Sequence, residues 1–207
     1  GLAAVAVSFD LPDQPAERRL GELLDMVAGS ALPDATKSDA LRVLRRLGEA
    51  EARVHGANTT LEDLRFHELG SLDTVFDVVG TVAGLTALGV SAVSVSPLNL
   101  GGGCVQTAHG LLPVPAPAVA ELVRGLPVFG GTAADGELLT PTAAALLSTL
   151  GTAFGPLPPL TVDCIGCGAG HKEGRAPNVL RLWLGDVPHA HAVDQVHLIE
   201  TNIDDMN

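Results

Sequence analysis

Hydrophobic positions recur at helical spacing in two early segments. Leu20, Leu23, Leu24 and Val27 predict a helix over residues 15–27, and Leu41, Leu44 and Leu47 predict a second, opened by Pro33-Asp34 and running to about His55. The polar side of that second helix (Arg42, Arg45, Arg46, Glu49, Glu51 and Arg53) reads as a solvated face. Ahead of both, residues 2–9 alternate weakly, as a strand or a frayed start would. Ser71 suits the N-cap of a helix over 72–88, with Gly89 where a terminating glycine belongs. Residues 92–100 are rich in Val and alternate, which predicts a strand, and Gly101-Gly102-Gly103 turns it into a second extended run through His109. Pro113, Pro115 and Pro117 then impose an extended passage before a short helix over 118–124. Thr140-Pro141 is an N-cap followed by a first-turn proline and opens a helix to Leu150. Residues 160–165, 179–184 and 196–203 read as strands. Helices and strands interleave behind a helical N-terminal section, so the expected class is α/β (α+β) with a mixed sheet.

Composition refines this picture. A chain of 207 residues hides roughly 70% of its unfolded surface, and 46% hydrophobic residues with only 3% aromatics means a core of Leu, Val and Ala. Twenty-four acids against twelve Lys and Arg give a formal charge of −12, which repels phosphate backbones and excludes a nucleic-acid partner. A cation partner suits the sign better. The most apolar stretch, 78–96, is interrupted by Gly, Ser and Thr, so a buried helix leading into a strand fits it and a membrane span does not. The default location is the cytoplasm. Cys164 and Cys167 have C-x-x-C spacing, but no second pair completes a zinc site and the flanking glycines oppose a redox helix, so both read as small apolar residues.

The densest chemistry lies at Phe66-His67-Glu68-Leu69-Gly70 with Asp73 and Asp77 following. Histidine and carboxylate suit a first-row divalent ion such as nickel. The plainer reading has Glu68 complementing a helix N-terminus and His67 as an ordinary polar residue. Asp73 belongs electrostatically in a first helical turn. Asp77 sits on a helix that is apolar nearly all round, where a buried carboxylate needs a partner or a metal. The two are i, i+4 and share a face, so together they offer a cation two carboxylates. His109 beside Gly110 is accessible to a ligand. Thr140 and Thr142 flank a helix N-terminus, which can hold an anion. If the last strand continues, Glu200, Asn202 and Asp204 fall on one face as an oxygen-rich set for Mg²⁺ or Mn²⁺; if it has ended, they form an acidic tail.

Several blocks together resemble the LarC family, which makes the nickel-pincer nucleotide cofactor of lactate racemase. They are Phe66-His67-Glu68-Leu69-Gly70-Ser71-Leu72-Asp73, Ser96-Pro97-Leu98-Asn99-Leu100-Gly101, Ala108-His109-Gly110-Leu111-Leu112-Pro113-Val114-Pro115-Ala116-Pro117-Ala118 and Gly136-Glu137-Leu138-Leu139-Thr140-Pro141-Thr142. Ile165-Gly166-Cys167-Gly168-Ala169-Gly170, Pro177-Asn178-Val179-Leu180-Arg181 and Glu200-Thr201-Asn202-Ile203-Asp204-Asp205-Met206 complete the set. The resemblance implies a lyase-class insertase that places nickel in a pyridinium dithiocarboxylate mononucleotide at the expense of CTP, carried with Mg²⁺ or Mn²⁺. It implies metal contact at His67 and Glu68, a chemical role for Asp73 and Asp77, and cofactor contact at His109, Thr140, Thr142, Asn202, Asp204 and Asp205. It also implies an N-terminal domain over 1–195 and, from 196 to 207, the start of a junction to a C-terminal domain. A homo-oligomer is compatible with all of this. Two departures stand out: the Ser-Gly-Asp-Met segment that opens the family is missing, and Cys167 stands where Tyr is usual. The alternatives are a nickel-binding or storage protein without turnover, and a divalent-metal hydrolase.

Overall fold

The computed structural model describes residues 3–11, 17–56, 60–66, 70–133, 135–171 and 177–187, together with the backbone of 195–200. The expected fold class holds: helices interleave with a mixed sheet. Helix α1 (Leu20–Ala28) buries Leu20, Leu23, Leu24 and Val27, the four residues whose spacing predicts it. It starts later than its periodicity suggests, because Arg18–Arg19 form a strand, β1, antiparallel to β2 (Arg65–Phe66). Helix α2 (Asp34–His55) runs between the expected limits and buries Ala40, Val43, Leu44 and Leu47. It is the axle of the domain, packing against α1, α3 (Leu72–Ala87), α4 (Pro117–Leu122) and α5 (Pro141–Leu150).

That central place changes the reading of its polar side. Arg46 is half-buried and donates from Nε to Ser148 Oγ (3.2 Å) and from a terminal nitrogen to the Leu122 carbonyl (3.4 Å). Arg42 reaches the Thr149 carbonyl at 3.2 Å. Part of the face expected to be solvated therefore ties α2 to α4 and α5, with long aliphatic stems covering the seam.

Ser71 stands at the N-cap of α3 with extended backbone, but its hydroxyl makes no capping bond and lies 3.5 Å from Thr74 Oγ1. Gly89 follows the helix with φ +69, and the Gly89 and Val90 amides return to Thr86 and Leu85, a Schellman ending. The single strand expected over 92–100 is instead two. β3 (Ala92–Val95) enters the main sheet, the chain breaks at Ser96-Pro97, and β4 (Leu98–Asn99) pairs in parallel with β7 (Val128–Phe129). Proline without a ladder donor explains the break. The three later prolines also differ from one uniform extended passage. Pro113 ends β6 (Gly110–Pro113), Pro115 follows a cis bond and Pro117 opens α4.

The main sheet has five strands in the order β8-β3-β11-β10-β9. β8 (Ala153–Phe154), β3 and β11 (Gln195–Glu200) run parallel; β10 (Val179–Asp186) and β9 (Thr161–Ala169) continue antiparallel. Ahead of α1, residues 3–11 form no strand of their own. They cross from β9, where Val5 and Cys167 share a 2.9 Å bond, to α3, where the Phe9 and Phe76 rings stack at 5.3 Å. Among the described residues, no helix is long and apolar enough to cross a membrane.

Candidate functional site

Two hollows gather the chemistry, and they share no lining residue. The first is an open cleft of about 460 Å³ between α3 and the N-terminal segment, lined by Asp73, Asp77, His171 and residues Val7, Ser8, Phe9 and Leu11. Asp73 and Asp77 share one face, as their spacing requires, but that face is outward. Thr74, Val75, Val78 and Val82 take the inward face, while Asp77 and Phe76 are exposed. Asp77 is therefore not a carboxylate trapped in the apolar core, because α3 is amphipathic once Phe76 is placed outside against Phe9.

The cleft still perturbs it. Partial desolvation raises the Asp77 carboxyl above its ordinary value, Asp73 raises it further, and His171 pulls it back. A raised folded-state pKa means the folded chain holds this proton more tightly than the unfolded chain. Stability is then lost as pH rises from about 4 through the folded value, and the penalty persists at neutrality. Asp77→Asn should be more stable than the parent at pH 7, with the gap closing below pH 4. Urea titrations at the two pH values read this out, and a gap that is constant with pH would refute it.

The second hollow, of about 80 Å³, lies where the end of α2 meets the turn between β5 (Cys104–Thr107) and β6. Glu51, His55, Thr107 and His109 line it, over a floor that includes Val54, Phe66 and Pro141. His109 does not close an extended run. It sits in a hairpin turn, its amide bonded to Thr107 Oγ1 (3.1 Å) while that hydroxyl donates to the Gly110 carbonyl (2.9 Å). Its ring lies 5.0 Å from that of His55, and His55 Nε2 is 3.3 Å from Glu51 Oε2.

Thr140 caps α5, accepting from the Ala143 amide at 3.3 Å, so its hydroxyl is already engaged. Thr140 and Thr142 flank Pro141 at the rim of the second hollow. Thr140→Ala should cost about 0.5–2 kcal/mol in thermal unfolding; a change within noise would show that the cap is idle.

His67, Glu68, Asn202, Asp204 and Asp205 lie outside the described residues. The ends of the 67–69 segment are nonetheless fixed. Phe66 is 1% exposed and pairs with Arg18, whose guanidinium donates to the Gly70 carbonyl at 3.1 Å. Sequence reasoning passed over His171, His55 and Glu51. The Glu51-x-x-x-His55 spacing on a predicted helix was a usable signal; nothing local marked His171. Cys164 and Cys167 fall in β9, three apart and hence on opposite faces, with free thiols. Among the described residues, no three His, Cys, Asp or Glu side chains form a group ready to hold a metal.

Comparison with known proteins agrees with the blocks noted in the sequence. The family model for nickel insertion proteins matches residues 1–207. The chain is 50% identical over 208 residues to the pyridinium-3,5-bisthiocarboxylic acid mononucleotide nickel insertion protein of Nocardioides sp., covering 100% of this chain and 52% of that one. It is 42% identical over 196 residues to the protein of the same name from Desulfitobacterium hafniense, covering 92% and 48%. The chain spans about half the length of these curated relatives. No solved structure matches it. On this footing, the chain belongs to the nickel insertion protein family.

Proposed function

We propose that this chain is the N-terminal half of an enzyme that inserts nickel into a pyridinium-3,5-bisthiocarboxylic acid mononucleotide. The observation that carries this reading is the family match along all 207 residues, with two relatives named for that substrate. The cleft supports it. Asp73, Asp77 and His171 offer oxygen and nitrogen donors, a set that borderline divalent ions accept, and a net charge of −12 draws cations toward it. Nickel here is cargo, met by open positions that a substrate can complete.

In this reading His67 and Glu68 contact the metal where the chain leaves Phe66. Asp73 and Asp77 neutralise and orient it, and Thr140, Thr142 and His109 meet the mononucleotide. Asn202, Asp204 and Asp205 approach CTP and its Mg²⁺ or Mn²⁺. The reaction is a lyase-class metallation in the cytoplasm, serving a lactate racemase cofactor, and a further domain supplies the rest of the nucleotide site. The chain's own contribution is to bring three charged reactants into one orientation.

The test uses the full-length protein with Ni²⁺, MgCTP and the mononucleotide. Nickel in the product at one per nucleotide, with CTP consumed, is expected. Nickel uptake with CTP untouched would favour a storage protein, and phosphoester hydrolysis indifferent to nickel would favour a hydrolase. His67→Ala and Asp77→Asn should each lower product formation at least tenfold if these side chains act as assigned.

A further inference from the structure

The β9–β10 hairpin presents an apolar face that the helices leave uncovered among the described residues. It forms one edge of the main sheet, and most of β9 is exposed. On the face turned toward the helices, Leu182 still reaches the core cluster, but Leu180, two residues earlier on the same side, is 42% exposed. Register places Gly168 opposite Leu180 and Gly166 opposite Leu182, and no described atom lies within 4 Å of an added Cβ at either glycine. Val5 flanks Gly168 on its other side and is 69% exposed. Exposed Val7 and Phe9 carry the apolar surface on to Phe76 of α3. We propose that this face is the docking surface for the part of the full-length protein that follows β11. The proposal rests on reading this chain as the N-terminal half of a nickel insertion protein.

Three observations single out that occupant. Curated relatives are matched over only 52% and 48% of their length, so under that reading a second body of similar size accompanies this one. Next, β11 delivers the following chain to this face. Its last residue, Glu200, pairs with Arg181, the neighbour of Leu180. β9 lies two strands from β11, a distance of about 10 Å that roughly three extended residues span. Finally, the patch is small. Leu180, Val5, Val7, Phe9 and Phe76 fall well short of the about 20–30 residues a side that a free-standing interface uses. A tethered body needs less, because a short connection holds it at roughly millimolar effective concentration.

Such docking bears on the first hollow. Val7 and Phe9 also line the Asp73–Asp77 cleft, as does His171, which follows Gly170 at the end of β9. A body seated against Val5 and Leu180 therefore supplies the open cleft with a wall that this half does not provide, and excludes water from the carboxylates there.

The test is maleimide labelling of full-length Leu180→Cys, read by peptide mass spectrometry and scaled to the same thiol in urea-unfolded protein. Covered by the second half, the thiol should react about tenfold or more slowly than when unfolded, since access controls its rate. Dilution of the protein should leave that protection unchanged. Adding Gly168→Arg or Val5→Arg should restore the fast rate, because each puts a charged side chain into the contact. Val5 is too exposed for its replacement to unfold the chain. Labelling as fast in the native protein as in the unfolded one overturns the proposal. Protection that survives both arginine variants also overturns it, and protection lost on dilution would assign the face to a second copy instead. Nickel insertion by the parent is scored separately. A protected thiol without insertion removes the nickel reading and leaves the docked halves, whereas insertion with an unprotected thiol does the reverse.

Discussion

Phe66→Ala is expected to destabilise the chain by about 3–5 kcal/mol, the range for removing a large ring from a core that cannot collapse around the void. Phe66 is 1% exposed and is the bulkiest of the fully buried side chains. Its backbone pairs with Arg18 in β2, and its ring forms part of the floor under His55 and His109. At roughly 2–4 °C per kcal/mol for a domain of this size, the midpoint should fall by about 6–20 °C. Phe129→Ala is the matched control: that ring is 47% exposed, so its loss should stay within about 0.5 kcal/mol. Urea unfolding of both variants checks the pair. Similar losses in the two would mean that the core does not centre on β2.

The second large effect comes from a backbone position. Gly101 has φ +79, its amide donates to Asn99 Oδ1 at 3.0 Å, and its carbonyl accepts from the Gly131 amide at 2.8 Å. A methyl group there would drive into the Gly136 carbonyl oxygen and crowd the Leu138 amide at 2.9 Å. Gly101→Ala should therefore cost about 2–4 kcal/mol, combining left-handed strain of about 1–2 kcal/mol with displaced backbone. Gly56 separates the two contributions. It has φ +60 at the end of α2, but nothing lies within 4 Å of an added Cβ. Gly56→Ala should show strain alone, about 1–2 kcal/mol. If the two substitutions cost the same, the contact with the 131–138 loop contributes nothing. The loop leads to Thr140 and α5, so Gly101→Ala should also loosen the Pro141 rim of the second hollow.

The helices were legible because each carries its own period. Leu20, Leu23, Leu24 and Val27 needed no partner to mark a face, and Thr140-Pro141 announced α5 from capping chemistry alone. β9, β10 and β11 were legible as strand-like runs, although β9 continues through the glycine-rich 166–169, beyond its expected end at 165. By contrast β1, β2, β7 and β8 are two residues each, too short for any periodicity, and exist only because distant strands pair with them. The same physics hid half of the candidate site. Asp73 and Asp77 share a helix, so their spacing placed them together, but His171 reaches their cleft from beyond β9. Between His55 and His109 the chain passes through β2, α3, β3, β4 and β5, and only tertiary packing brings their rings together. Arg46 shows the opposite error: on a helix in the middle of a bundle, part of the polar side faces neighbouring helices, while Arg45, Glu49 and Arg53 remain exposed.

The order of the main sheet has a consequence for biosynthesis. Its central strand, β11, is the last of the five in the chain, yet it joins the parallel pair β8-β3 to the antiparallel pair β10-β9. While a ribosome is still making residues before Gln195, those pairs present open edges with no strand between them. The helical bundle around α2 has all of its helices once α5 has been made, whereas the sheet waits for β11 to thread between its halves. Nascent or C-terminally truncated chains should therefore hold a formed bundle beside an unjoined sheet, the state most exposed to edge-to-edge aggregation and to chaperone capture.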